Sequence, residues 1–123
     1  MQDMVSQIGG AINEEGISEE QINLQITLKL QELLEASDCR IVLTRSDENG
    51  IYDANAKSKK KSDLQNRVEI INNSNADCLV SIHLNKISSE KYSGWQSFYQ
   101  TGNENSIALA KSIQSSLNYA TRY

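Results

Sequence analysis

The sequence predicts an α/β fold, a mainly parallel twisted sheet with helices on both faces. Three observations predict it. Short runs rich in apolar, β-branched or aromatic residues stand at 40–44, 79–83 and 95–99, as buried strands do. Around them lie stretches whose apolar residues recur at helical spacing. The order that results is helix, strand, helix, strand, loop, strand, helix, an alternation that builds a sheet covered on both faces.

The elements follow one another clearly. Residues 1–17 carry little pattern, and Gly9-Gly10 and Gly16 read as turns. Ser18-Glu19-Glu20-Gln21 is a capping box, a serine followed three residues on by glutamine, so a helix is expected behind it. Ile22, Ile26, Leu30, Leu33 and Leu34 form its buried stripe, which fades near Ala36-Ser37-Asp38. Arg40 to Thr44 is the first strand, and Arg45 to Lys61 is a polar loop with an Asn49-Gly50 turn. A second capping box at Ser62-Asp63-Leu64-Gln65 opens a helix whose apolar face is Leu64, Val68, Ile70 and Ile71, closed by Asn72 to Asn75. Leu79 to His83 is the second strand and Trp95 to Tyr99 the third. Gly102 to Asn105 precedes a last helix with Ile107, Leu109, Ala110, Ile113 and Leu117 as its apolar positions. A right-handed parallel crossover between the first two strands would bring Thr44-Arg45 and His83-Leu84-Asn85 to one edge, at the carboxyl ends where such sheets place their sites.

Length and composition narrow the classes. A chain of 123 residues suits a single domain, 1–123, and no linker divides it. An apolar fraction of 38% with a net charge of −4 argues against a disordered tail and against a nucleic-acid binder. No apolar run approaches the roughly 20 residues of a membrane span, and Met1 to Met4 shows no basic-then-apolar leader. Cys39 and Cys78 lie at no metal-binding spacing and read as two small buried hydrophobes, with a disulfide as the alternative if their runs are neighbouring parallel strands. Neither a phosphate-binding glycine loop nor a Gly-x-Ser-x-Gly elbow is present.

Few side chains are placed for chemistry. His83, the sole histidine, emerges where an apolar run meets a loop, where it could bind zinc or move a proton, or simply be a hydrogen-bonded strand-end residue. Glu19 and Glu20 sit in a first helical turn, where acidic residues also serve the helix dipole without any further role. Arg45 reads as a strand-end residue that braces a loop or borders a site, and Arg67 as an ion-paired helix residue. The basic run Lys57 to Lys61 reads as a solvated loop or a glycan contact. Tyr92, Trp95 and Tyr99 read as packing residues or as a platform for sugars.

In combination these pieces resemble a family. Asn75-Ala76-Asp77 followed by Leu79-Val80-Ser81-Ile82-His83-Leu84-Asn85 resembles the "NADxxVSIHxN" block of the zinc-dependent N-acetylmuramoyl-L-alanine amidases, the Amidase_3 family. Arg67 precedes it at the family's spacing, and Ile41 to Arg45 resembles the "VxLTR" strand. Gly10-Ala11-Ile12 with Glu19 to Leu24 resembles "GAI…EKDINL", and Gly94 to Tyr99 falls where the family places a later strand. The wording of 51–99 is most similar to the clostridial spore-cortex, germination-specific amidases, and the resemblance runs over residues 9–122.

The resemblance implies a three-layer amidase/phosphorylase-like fold and one zinc ion held by His, Glu and His. A water on that zinc cuts the amide between N-acetylmuramic acid and the L-alanine of the stem peptide. Glu19 matches the glutamate ligand and His83 the second histidine, with Glu20, Arg45, Arg67 and Asn85 as site neighbours. The family's "GHGG" histidine and its late "VLVExGF" glutamate have no match here, and Met4 falls near the histidine's place. The chain therefore looks truncated at both ends, with two of three ligands and no general base. The location implied is extracytoplasmic, at the cell wall or spore envelope. The implied partners are peptidoglycan or muropeptides, with a protein partner or a strand-exchanged dimer at the open sheet edge. The alternative is a non-catalytic wall-binding or partner-binding module that keeps the fold.

Overall fold

The computed structural model describes residues 16–84, 91 and 94–121. They form helices α1 (Glu19–Glu35), α2 (Lys59–Asn73) and α3 (Glu104–Thr121). The chain divides into two compact units, Met1–Asn85 with α1 and α2, and Lys86–Tyr123 with α3.

Helix α1 starts at the expected capping box. Ser18 is extended (φ −85°, ψ 157°), and its Oγ accepts the Gln21 N–H at 3.3 Å while Gln21 Oε1 accepts the Ser18 N–H at 2.9 Å. Two backbone donors that a helix start leaves orphaned are thus satisfied. The helix ends at Glu35, and Asp38 turns the chain with φ 64° as Cys39 N–H donates to the Leu34 carbonyl at 3.0 Å. Its buried residues are Asn23, Leu24 and Thr27 rather than the expected stripe. Ile22, Ile26, Leu30 and Leu34 are half-buried, and Leu33 is 68% exposed.

Helix α2 begins one turn earlier than its sequence suggests. Ser58 is the N-cap, its Oγ accepting the Lys61 N–H at 3.3 Å, so Lys59 to Lys61 are helical and not loop. Ser62 has another use: its Oγ accepts the Asp53 N–H at 2.9 Å. The buried face is Ser62, Asp63 and Arg67, while Leu64 and Val68 are 40% and 52% exposed. At the other end the Ser74 carbonyl accepts a 2.7 Å hydrogen bond from Arg40 Nη2, a cation where the helix dipole favours one.

The expected parallel sheet is not formed among the described residues. Among the described residues no strand ladder exists, and the stretches 40–43, 78–84 and 95–100 carry no regular structure. A strand is stable when its N–H and C=O groups pair with a neighbour about 4.8 Å away. Here the segments are held by other means. Arg40 reaches the end of α2, Thr44 Oγ1 accepts from Arg67, and the Leu84 N–H donates to the Glu19 carboxylate. Burial is also unlike that of a two-sided sheet. The described buried apolar residues are Leu24 and Ala110, against buried Asn23, Thr27, Thr44, Arg45, Ser62, Asp63, Arg67 and Ser74. Leu79 of the second run is 42% exposed.

In the second unit, α3 is capped by Asn103, whose Oδ1 accepts the Ser106 N–H at 3.0 Å. Gln114 Nε2 donates to the Trp95 carbonyl at 2.8 Å and so ties the preceding run to the helix. Ala110 is buried, and Ile107, Leu109, Ile113 and Leu117 are half-buried. Cys39 and Cys78 are free, and Cys39 is exposed, contrary to the buried reading.

Candidate functional site

Glu19 and His83 come together in the first unit. The capping box sets Glu19 as the first residue of α1, and His83 lies near the end of the extended run that follows α2. Glu19 Oε1 is 3.9 Å from His83 Nδ1, with side-chain exposures of 18% and 30%. The same oxygen accepts the Leu84 N–H at 3.1 Å and a hydrogen bond from Asn23 Nδ2 at 3.5 Å. An imidazole nitrogen and a carboxylate oxygen are among zinc's preferred donor types. Two donors of one tetrahedral zinc lie about 3.3 Å apart, so a small side-chain adjustment would let this pair share an ion. The pair fits zinc as two ligands. Among the described residues no group of three or more His, Cys, Asp and Glu gathers to complete it.

Arg45 and Arg67 are both buried in the same unit. Arg45 is 5% exposed; its Nη2 donates to the Glu20 carbonyl at 2.7 Å and its Nη1 to the Asp47 carbonyl. It thereby joins the first turn of α1, where Glu19 sits, to the loop after Thr44. Arg67 pairs with Asp63 (Nε to Oδ1, 2.6 Å) and donates through Nη1 to Thr44 Oγ1 at 3.2 Å. Asp63 Oδ2 in turn accepts the Ile51 N–H at 2.9 Å, and Asn66 Nδ2 donates to the Ile51 carbonyl at 2.5 Å. Gly50 lets the loop come this close. A Cβ there would meet the Tyr52 ring at 2.8 Å and Asp63 Oδ2 at 3.3 Å. Arg45 therefore braces the turn that carries Glu19, and Arg67 ties α2 to Thr44.

Glu20, the second choice for a ligand, is half-buried beside the pair and contributes its carbonyl to Arg45. Asn85, Tyr92 and the stretch around Met4 lie outside the described residues. Asn23 and Asp63 are the site residues that sequence reasoning passed over. Asn23 had a signal, an amide four residues after Glu19 and therefore on the same helix face.

Known proteins resemble this chain in sequence and in fold. The solved CwlD amidase from Clostridioides difficile, in complex with the GerS lipoprotein, superposes with a TM-score of 0.87 at 42% identity, covering 96% of this chain and 64% of that one. The germination-specific N-acetylmuramoyl-L-alanine amidase of Bacillus subtilis (strain 168) is 33% identical over 112 residues, 89% of this chain and 47% of that protein. The chain thus spans about half the length of that curated relative. The sequence pattern of the N-acetylmuramoyl-L-alanine amidase family matches residues 6–123, and the chain belongs to that family.

Proposed function

We propose that this chain carries part of the zinc centre of a peptidoglycan amidase, one that cleaves the amide between N-acetylmuramic acid and the L-alanine of the stem peptide. What supports the reading above all is the 3.9 Å approach of Glu19 Oε1 to His83 Nδ1, two residues that match family ligand positions and come from distant parts of the chain. Glu19 and His83 would hold the metal. Bound zinc supplies a water of lowered pKa and polarises the scissile carbonyl. The Leu84 N–H and Asn23 fix the Glu19 carboxylate, and Arg45 fixes the helix turn that carries it. A third ligand and a general base complete such a site, and a chain that spans about half of its relative supplies two ligands.

Similarity to an amidase named as germination-specific supports the spore cortex as the proposed substrate, and an extracytoplasmic location goes with that proposal. No described helix is long and apolar enough to cross a membrane. Because the Clostridioides neighbour is found with a lipoprotein, a lipoprotein partner is proposed here as well.

Zinc content of the purified chain, alone and as Glu19→Ala and His83→Ala, tests the reading. Weak zinc binding lost in both variants, with no amide hydrolysis by the 123 residues alone, is the expected result. Zinc content equal in all three would sink it. The second reading, a non-catalytic wall-binding module, draws on the exposed aromatics Trp95, Phe98 and Tyr99. Muropeptide binding that survives chelation would favour it.

A further inference from the structure

Glu19 has one oxygen engaged and one left over. Oε1 accepts the Leu84 N–H at 3.1 Å and the Asn23 Nδ2 at 3.5 Å, and it is the oxygen that faces His83. Oε2 has no hydrogen-bond partner among the described residues. Asn23 itself is 1% exposed, so water cannot serve its amide. Its Oδ1 has no partner among the described residues, and neither does Thr27 Oγ1 one turn further along the same face. A buried amide oxygen without a partner is costly, and an apolar residue would avoid that cost. Among the described residues, the side-chain hydrogen bond that Asn23 makes is to the Glu19 carboxylate.

We infer that Asn23 is a positioning residue: its amide N–H, with the Leu84 N–H, holds the Glu19 carboxylate beside His83, where the two would share a cation. The inference rests on the proposed ligand role of Glu19 and His83. Carboxylate ligands are commonly held in this way by neighbouring donors, whose removal costs about 10–100-fold in metal affinity.

Asn23→Leu separates positioning from packing, because leucine fills nearly the same space without a donor and without the orphaned oxygen. Zinc is titrated into the full chain and followed by NMR at the Leu84 amide and the His83 ring, which detects weak binding. Thermal unfolding is recorded in parallel. The expected result is zinc affinity lower by about 10–100-fold with an unchanged or raised melting temperature. Asn23→Ala, measured in case leucine disturbs the fold, should weaken zinc to a similar degree. Affinity within twofold of the parent in both variants overturns the inference. If Glu19→Ala and His83→Ala abolish binding while the Asn23 variants do not, only the positioning role fails. If Glu19→Ala and His83→Ala also bind like the parent, or if the parent binds no zinc, the ligand reading fails and takes this inference with it.

Discussion

Arg67 Nε lies 2.6 Å from Asp63 Oδ1, and each side chain is 3% exposed. Four residues apart on α2, the two share one helix face. Both also bond outside the pair. Asp63 Oδ2 accepts the Ile51 N–H, and Arg67 Nη1 donates to Thr44 Oγ1. A buried ion pair repays its desolvation only when such extra hydrogen bonds complete it.

Removing either partner leaves the other charge buried and unpaired. Asp63→Asn or Arg67→Met should each destabilise the fold by about 3–5 kcal/mol. The double variant should lose less than the sum, because the uncompensated charge is gone. Urea denaturation of the four proteins measures both effects.

Arg45 spans two carbonyls, those of Glu20 and Asp47. A lysine ammonium keeps the charge but lacks the fork that reaches both. Arg45→Lys should cost about 1.5–3 kcal/mol, the worth of one hydrogen bond to a charged group. Thermal unfolding checks the loss, and backbone NMR shifts should concentrate at Glu20 and at residues 45–49.

Ser18 holds the first turn of α1 through its capping box with Gln21. Ser18→Ala should lower stability by about 0.5–2 kcal/mol. Because Glu19 is the next residue, the same change should also loosen zinc binding. Circular dichroism against urea and a zinc titration read the two effects separately.

The start of α2 works against its own dipole. Its first turn has three lysines and no acidic residue, and Lys59 Nζ stands 5.1 Å from the centroid of the Tyr52 ring. Lys60→Glu should therefore stabilise the chain by about 0.3–1 kcal/mol, less at high salt. Lys59→Glu should gain less, since it gives up the contact with Tyr52. Melting temperatures at low and high ionic strength would reveal either failure.

The α1 cap was legible in the sequence because Ser18 and Gln21 need only each other. The α2 cap was misplaced because the Ser62 hydroxyl serves Asp53 across a loop, a partner that no local pattern announces. The end of α1 was also legible, since Ala36 to Asp38 lack the apolar recurrence of the turns before them. Burial was read less well. Hydrophobic spacing put Ile22, Ile26, Leu33, Leu64 and Val68 inside, whereas the structure buries Asn23, Thr27, Asp63 and Arg67.

The sequence by itself determined that three helices form, the cap of α1 and the family, since local caps, periodicity and ordered motifs are properties of the chain. Only the tertiary structure decided that the extended runs form no strand ladder among the described residues, and that Glu19, Asn23, His83 and Leu84 meet. Strand pairing and ligand convergence depend on where distant backbone groups find partners. The Leu84 N–H, given to a carboxylate rather than to a ladder, is one group whose partner the tertiary structure alone assigned.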